Sequence, residues 1–251
     1  MNETSRKTII DLFGDSHPDD TLRTFDLVLP KSKTVEEYLQ YTIMMKDMYE
    51  VFPGRLECKE LFVRGEERQI YFFLKHTSDI NADIAFEWFE RLEKANEKLS
   101  ELKAVHYRPA RVDELEKDIY YDMSMAAEYM ENLELQKETA LKAGVEDYPE
   151  LWVRYMYQFV YDSSTVISQE MKKDIELMEK LVKLNTWANR SQKAWGLIIL
   201  ERIYAKGMGV EKDISHAYSL LRECEKCDSK VAAYDKKNFS KKLFGKISYC
   251  G

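Results

Sequence analysis

The stretch from Gly196 to Asp228 constrains the fold of this chain more than any other. Its apolar residues recur at steps of three and four on both sides of a short bend, which indicates two amphipathic helices. Gly207 and Gly209 lie in the bend, and glycine ends a helix readily because it adopts positive φ without steric cost. Asp213 is placed to cap the second helix. Because each helix has an apolar face to bury, the pair needs further helices to pack against.

The residues around this bend resemble the Sel1-like repeat, a relative of the tetratricopeptide repeat. The residues that carry the resemblance are Leu200, Tyr204, Gly207, Gly209, Val210, Lys212, Asp213 and Ala217. The resemblance implies a solenoid of stacked helix pairs that binds a partner and is not itself catalytic. The chain departs from the family pattern at Glu201, where the family has glycine, and at Cys224 and Glu225, where it usually has two alanines. These departures imply looser or rearranged helix packing.

A second, degenerate repeat is predicted upstream of the first. The tripeptides that begin at Lys173 and Lys212 are both Lys-Asp-Ile and lie 39 residues apart, a period typical of helix-pair repeats. We therefore predict a degenerate repeat over 148–187 and a better one over 194–228. Both belong to a region, 108–251, that is predicted to be helical almost throughout.

The end of this region is basic. A last helix is predicted from Ser229 to about Ile247, with lysines on its outer face as the cap of the stack. The alternative is that this tail lies on an anionic membrane surface.

The first 107 residues predict a different arrangement. Residues 1–20 look like a polar arm, and the alternation from Phe25 to Leu29 predicts a short strand. Leu56 to Lys75 reads as a β-hairpin that turns at Arg64–Glu67.

Two helices complete this part of the chain. One starts at Thr34, and a longer one is capped by Asp79 or Asn81. Residues 21–107 are therefore predicted to form a small β-α-β-β-α unit, and the break before Pro109 separates it from the helical region. The predicted fold class is mainly α, with C-terminal antiparallel helix pairs stacked on a small N-terminal α+β unit.

Composition narrows the class of protein. Apolar residues make up 45% of the chain and charged residues 33%, and no window approaches ~18 uninterrupted apolar residues, so we expect a soluble, cytoplasmic protein without a membrane partner. The net charge of −7 argues against nucleic acid as a partner. Cys224 and Cys227 form an isolated CxxC without a second pair, so two reduced thiols are expected, with no metal or cofactor.

An acidic, aromatic-rich stretch in the middle of the chain is the candidate binding surface. From Asp113 to Glu150 there are twelve acidic residues against three lysines. Acidic side chains beside tyrosine and tryptophan are typical of surfaces that bind a basic protein. The candidate partner-binding residues are Asp113, Glu116, Tyr120, Tyr121, Glu128, Trp152 and Tyr155. The alternatives are that the charges form a solvated helix face and that the aromatic residues fill the core.

No catalytic, phosphate-binding or dinucleotide-binding signature occurs in the sequence. The first hypothesis is a non-enzymatic bacterial immunity or inhibitor protein that occludes a cognate, possibly basic, toxin. The second is an intracellular signalling or assembly adaptor that holds a partner peptide or helix on its repeat face. The third is an enzyme with its site in the first 105 residues, which would require a deep pocket lined by groups with shifted pKa values. The oligomeric state is not predicted.

Overall fold

The structure is a computed structural model that describes residues 1, 3–32, 34–161, 169–185, 187–241 and 247–251. In these ranges the chain forms twelve α-helices, one short 3-10 helix and a two-stranded sheet, so the prediction of a mainly α protein is confirmed. The chain divides into two compact units, residues 1–139 and 140–251. Among the described residues, no helix combines the length and apolar character that crossing a bilayer requires.

Unit 1 is built from helices alone, within the ranges that the structure describes. They are α1 (Glu3–Phe13), α2 (Pro18–Val28), a 3-10 turn (Leu29–Lys31), α3 (Val35–Val51), α4 (Leu56–His76), α5 (Ala82–Ala104) and α6 (Pro109–Tyr129). Helix α7 (Leu133–Ala143) spans the boundary between the units. α4 packs against both α3 and α5, and α5 packs against α6.

Three N-terminal predictions are wrong. Residues 1–20 are not a polar arm, because Ile9 and Phe13 of α1 are buried in the core of unit 1. Phe25 to Leu29 is not a strand, since Leu22, Phe25 and Leu29 are buried at helical spacing while Leu27 is 49% exposed. The supposed alternation was one turn of an amphipathic helix.

The third error is the hairpin predicted from Leu56 to Lys75. This segment is the single helix α4, and Gly65, the centre of the predicted turn, lies where α4 crosses α3. The unit therefore contains no β-α-β-β-α arrangement in its described residues. The two predicted caps are present, because Thr34 accepts a hydrogen bond from the Glu37 amide and Asn81 accepts one from the Ile84 amide.

The predicted break at Arg108–Arg111 marks the start of α6 within unit 1, and the boundary between units follows at 139/140. The predicted helical region is interrupted soon after it begins. Helices α6 and α7 are separated at Glu131, which has a φ of +55°.

Unit 2 contains the rest of the chain. Its helices are α8 (Pro149–Tyr161), α9 (Gln169–Leu181), α10 (Arg190–Lys206), α11 (Ile214–Cys227) and α12 (Ser229–Lys236), followed by β1 (Phe239–Lys241) and β2 (Ile247–Tyr249). The strands are antiparallel, with Phe239 opposite Tyr249. The predicted terminal helix to Ile247 therefore ends about ten residues early, and a strand pair follows it.

The helix pair predicted at 194–228 is α10 and α11. The end of α10 meets the start of α11, where the ring centroids of Tyr204 and His216 are 4.4 Å apart. The start of α10 meets the end of α11, where the Cys224 thiol donates to the Ala194 carbonyl. The pair is therefore antiparallel. Gly207, with a φ of +76°, ends α10 in the left-handed region. The Sel1-like resemblance itself stays a prediction, and the upstream alignment through residues 162–168 lies outside the described residues.

Candidate protein-interaction surface

The predicted acidic residues at the start of α6 are partly neutralised. Asp113 is exposed and Glu116 is half-buried. The Lys103 ammonium of α5 lies 3.2 Å from the Asp113 carboxylate and 2.7 Å from that of Glu116. The contacts of Lys103 with Asp113 and Glu116 link α5 to α6. The ammonium therefore offsets part of the negative charge of the two carboxylates within unit 1.

The other predicted residues of α6 are only partly accessible. Tyr120 is half-buried and accepts a hydrogen bond from the Asn96 side chain at 3.1 Å. Tyr121 is half-buried, with the Lys75 ammonium 5.8 Å from its ring centroid. Glu128, near the end of α6, is also half-buried. α6 thus contributes a mixed surface rather than a continuous acidic one.

Trp152 and Tyr155 belong to the core of unit 2 and do not form a surface. Trp152 is 0% exposed and its indole N–H donates to the Asp174 carbonyl, while the Tyr155 hydroxyl donates to the Asp174 carboxylate at 2.9 Å. Both aromatic residues therefore attach α8 to α9. Their assignment to a partner-binding surface is corrected, because buried side chains with satisfied polar atoms have no contact area to offer.

An acidic surface that the sequence analysis missed lies on the outer side of α5. Its carboxylates are Asp83, Glu87, Glu90, Glu93 and Glu97, all exposed, and the same side also holds Phe86 and Lys94. At 3.6 residues per turn these positions occupy about one third of the helix circumference. We call this surface the α5 acidic face. The opposite side of the helix buries Trp88, Leu92 and Leu99.

The five carboxylates of the α5 acidic face form no ion pair within the part of the chain that the structure describes, and Lys94 is the cation that shares this face. None of them forms a salt bridge or hydrogen bond with any other described residue, in contrast to Glu101 one turn further on, which pairs with Lys59 and Lys98. Like charges on adjacent helical turns repel each other. An uncompensated row of this kind creates a negative potential that attracts a basic partner and speeds its approach.

Phe86 adds an apolar contact point to the α5 acidic face. Its side chain is 51% exposed, although it lies one residue from Glu87 and within a turn of Asp83 and Glu90. An aromatic ring surrounded by charges is the arrangement in which interface anchors are found, because the ring supplies contact area and the charges supply orientation.

Buried ionic contacts fix the position of α5. Arg91 donates to the Glu66 carboxylate at 2.9 and 2.5 Å and to the Gln69 side chain of α4 at 2.5 Å. Lys46 of α3 donates to Gln69 at 2.9 Å and lies 3.3 Å from Glu66. Since Glu66 and Gln69 are each 8% exposed, this network joins α3, α4 and α5 through side chains that have few alternative partners. The α5 acidic face is therefore held on a rigid support.

A second buried group of charges lies between α4 and α6. Glu67 is 2% exposed and Asp122 is 1% exposed. Burial raises the pKa of Glu67 to about 7 even though Arg68 lies 3.1 Å away, and burial, with Glu67 and Asp118 close by, raises the pKa of Asp122. Neither residue lines either of the two clefts described for this chain, at 34–44 and 184–227. The two raised pKa values therefore coincide with neither described cleft.

Metal-binding side chains are dispersed. Across the described ranges, no three His, Cys, Asp or Glu side chains come together in a way that would hold an ion. Cys224 is buried, which raises the pKa of its thiol to about 12, and Cys227 is partly exposed and free. This pair is consistent with two reduced thiols on one helix.

Comparison with known proteins gives no relative: no protein-family model matches the chain, and no curated protein or solved structure is significantly similar to it.

Proposed function

We propose that this chain is a non-enzymatic protein-binding scaffold that captures a basic protein on the α5 acidic face. The observation that carries the proposal is the row of five exposed carboxylates that form no salt bridge with any described residue. They lie on a helix that Arg91 attaches to α4. Carboxylates in such a row favour association with Lys- or Arg-rich surfaces. Phe86 supplies an apolar contact near the N-terminal end of this face.

Within this class, we propose a bacterial immunity or inhibitor protein that acts in the cytoplasm. The mechanism is occlusion: the α5 acidic face attracts the basic surface of a toxin, and unit 1 then covers the toxin's active site. Attraction through unpaired charges raises the association rate, which an inhibitor needs if it is to act before its target does. The absence of a catalytic signature from the sequence and the Sel1-like resemblance both favour this reading over an enzyme.

The test uses two charge variants of equal net charge. In the first, Glu87, Glu90, Glu93 and Glu97 are all changed to Gln. In the control, four other exposed acidic residues of unit 1 are neutralised: Asp11→Asn, Asp15→Asn, Glu36→Gln and Glu50→Gln. Wild type and variants are immobilised, exposed to lysate of the source cells at about 0.15 M salt, and the retained proteins are identified.

We expect wild type and the control to retain the same basic protein, and the α5 variant to lose it. Retention of that protein by the α5 variant would contradict the proposal. So would a result in which wild type and the control retain no protein in common. Matching thermal unfolding of all three chains shows that the substitutions have not changed the fold.

An adaptor function is the second candidate, and an aromatic row in unit 2 favours it. Trp195 of α10 lies 6.2 Å from Tyr157 of α8 and 5.7 Å from Tyr234 of α12, between ring centroids. Tyr157 is 42% exposed and Tyr234 is 60% exposed. Three adjoining rings on three helices offer a surface for a partner peptide or helix.

The same capture experiment separates the two candidates. If the adaptor reading is right, the double variant Tyr157→Ala with Tyr234→Ala loses the partner while the α5 variant keeps it. If the immunity reading is right, the pattern of loss is reversed.

A further inference from the structure

A cleft in unit 2 has the properties of a binding site for a small anion. It has a volume of about 350 Å³ and lies where the segment after α9 meets the start of α10 and the end of α11. That volume is at the lower end of the range for small-molecule sites. The cleft plays no part in the proposed capture of a basic protein, because its charge has the opposite sign.

Three cationic side chains line this cleft: Arg190 and Lys193 of α10, and Lys226 of α11. None of the three forms a salt bridge with a described residue, and the one hydrogen bond among them runs from Lys193 to the Leu184 carbonyl at 3.4 Å. Two other cations of the same unit are paired within it, Arg202 with Asp235 and Lys236 with Glu225. Three unpaired cations around one cleft repel one another, and an anion among them would relieve that repulsion.

Asp228, which follows Cys227 directly in the sequence, forms no ion pair with these cations. It accepts hydrogen bonds from the Ser191 hydroxyl and from the amides of Lys230 and Val231. These bonds hold Asp228 as the cap of α12, so it keeps its charge but makes no salt bridge to Arg190, Lys193 or Lys226.

An apolar wall completes the cleft. Leu184 and Trp187 both line it, and the Trp187 indole N–H donates to the Leu181 carbonyl at 2.9 Å, which fixes the ring. A cationic rim beside a fixed aromatic ring suits a molecule with an anionic group and a planar ring.

We propose that this cleft binds a small phosphorylated molecule with a planar ring. The phosphate group lies among Arg190, Lys193 and Lys226, and the ring lies against Trp187 and Leu184. Cys227, which is partly exposed and lines the same cleft, is covered when the site is filled.

Calorimetric titration tests the site with three probes: adenosine 5′-monophosphate, inorganic pyrophosphate and adenosine. The site variant changes Arg190, Lys193 and Lys226 to Gln. Its control changes Lys172, Lys173 and Lys183 to Gln, which removes the same number of positive charges. These three lysines are exposed, belong to the same unit and line neither described cleft. We expect the site variant to lose at least about tenfold in affinity for the nucleotide, and the control to stay within about twofold of wild type.

The probes also separate the two parts of the proposal. The nucleotide should bind more tightly than pyrophosphate, and adenosine should bind most weakly. Equal affinity for nucleotide and pyrophosphate would overturn the role of the ring. Equal losses in the two variants, or no binding of either phosphate probe by wild type at millimolar concentration, would overturn the site.

Alkylation provides a second readout that needs no substitution. Cys227 and the exposed Cys250 are modified with N-ethylmaleimide, and each modified peptide is quantified by mass spectrometry with and without nucleotide. The nucleotide should slow modification of Cys227 several-fold and leave Cys250 unchanged. Equal rates at Cys227 with and without nucleotide would count against the site even if the variants failed to fold.

Discussion

The burial of Glu67 and Asp122 is electrostatically unfavourable for the folded chain. Their carboxyl groups are almost fully buried between α4 and α6, and the oxygens of Asp122 have no hydrogen-bond partner among the described residues. The cations near Glu67 are Arg68 and Arg64. These cations do not offset the burial of Glu67, so its pKa is raised. At Asp122, burial with Glu67 and Asp118 nearby outweighs Arg68 and Lys75, so its pKa is raised as well.

This cost predicts a specific pH dependence. The pKa of Glu67 is about 7 in the folded chain and near the ordinary value of 4.5 when unfolded, so between these values the folded chain binds the extra proton. Stability from this group is therefore fully present below pH 4.5 and is lost as pH rises toward 7. Glu67→Gln keeps the shape of the side chain without the charge. The free energy of unfolding of this variant, relative to that of wild type, should therefore be about 1 to 3 kcal/mol higher at pH 8 than at pH 4.5.

Denaturant unfolding of wild type and Glu67→Gln across this pH range measures the effect. Glu114→Gln, an exposed acid of α6, is the control and should follow wild type. Parallel stability curves for Glu67→Gln and wild type would show that the group is ionised without penalty.

Glu201 illustrates a residue whose surroundings the sequence did not disclose. It stands where the Sel1-like pattern has glycine, and the departure implies looser or rearranged helix packing. Glu201 is fully buried against Asp235 of α12, and burial together with that contact raises its pKa to about 9. Its partner is 34 positions away in the sequence, so no local pattern identifies it.

At the scale of elements, α4 shows why part of unit 1 could not be predicted. Arg64 to Glu67 looks like a turn because a glycine stands among charged residues, and such clusters usually face solvent. Here Gly65 is a contact point with α3, and Glu66 and Glu67 are buried beside arginines from α5 and α4. Tertiary contacts therefore determine that Arg64 to Glu67 is helical. The caps at Thr34 and Asn81 could be predicted from the sequence, because each depends only on residues close by in the chain.

Gly65 should be intolerant of a side chain. A Cβ at this position would lie 2.8 Å from the Thr42 carbonyl oxygen and 2.9 Å from the Lys46 side chain. Gly65→Ala gains helix propensity of about 1 kcal/mol, but overpacking against the α3 backbone costs more, so we expect a net loss of about 1 to 2 kcal/mol.

Thermal unfolding measures this loss against Gly54→Ala, because a Cβ at Gly54 has no neighbour within 4 Å. The control should unfold close to wild type. A stabilised Gly65→Ala variant would mean that α3 and α4 do not approach as closely as described.

Gly207, in the glycine-containing bend between α10 and α11, should also be sensitive to substitution. Gly207 has a φ of +76°, and a Cβ there would lie 3.2 Å from that of Lys212. Gly207→Ala should cost about 1 to 2 kcal/mol, and Gly207→Asn should cost less, because asparagine tolerates the left-handed region better. Chemical denaturation of both variants measures the order, and equal stability of Ala and wild type would contradict it.

The α5 acidic face was within reach of the sequence but was missed. The glutamates at 87, 90, 93 and 97 follow helical spacing, so the signal was present once the helix from Asn81 had been recognised. The density of acidic residues favours 113–150 instead, where Lys103 offsets part of the charge of Asp113 and Glu116. Which charges remain unpaired depends on neighbouring helices, and only the structure supplies that.

On the scale of the whole molecule, charge is divided between the units. Residues 1–139 contain 19 Lys and Arg against 30 Asp and Glu, a net charge of −11, whereas residues 140–251 contain 19 against 15, a net charge of +4. The overall −7 therefore conceals two surfaces of opposite character. The proposals of a basic protein partner for unit 1 and a small anion for unit 2 agree in sign with this division.

The most direct test of the central claim is the association rate of the captured basic protein with wild type and with the Glu87, Glu90, Glu93 and Glu97 to Gln variant, measured by surface plasmon resonance. Electrostatic capture on the α5 acidic face predicts that the variant associates at least about tenfold more slowly at low salt, that the difference shrinks as salt rises, and that the control variant matches wild type. An association rate that is the same for wild type and the α5 variant, at every salt concentration, would contradict the account.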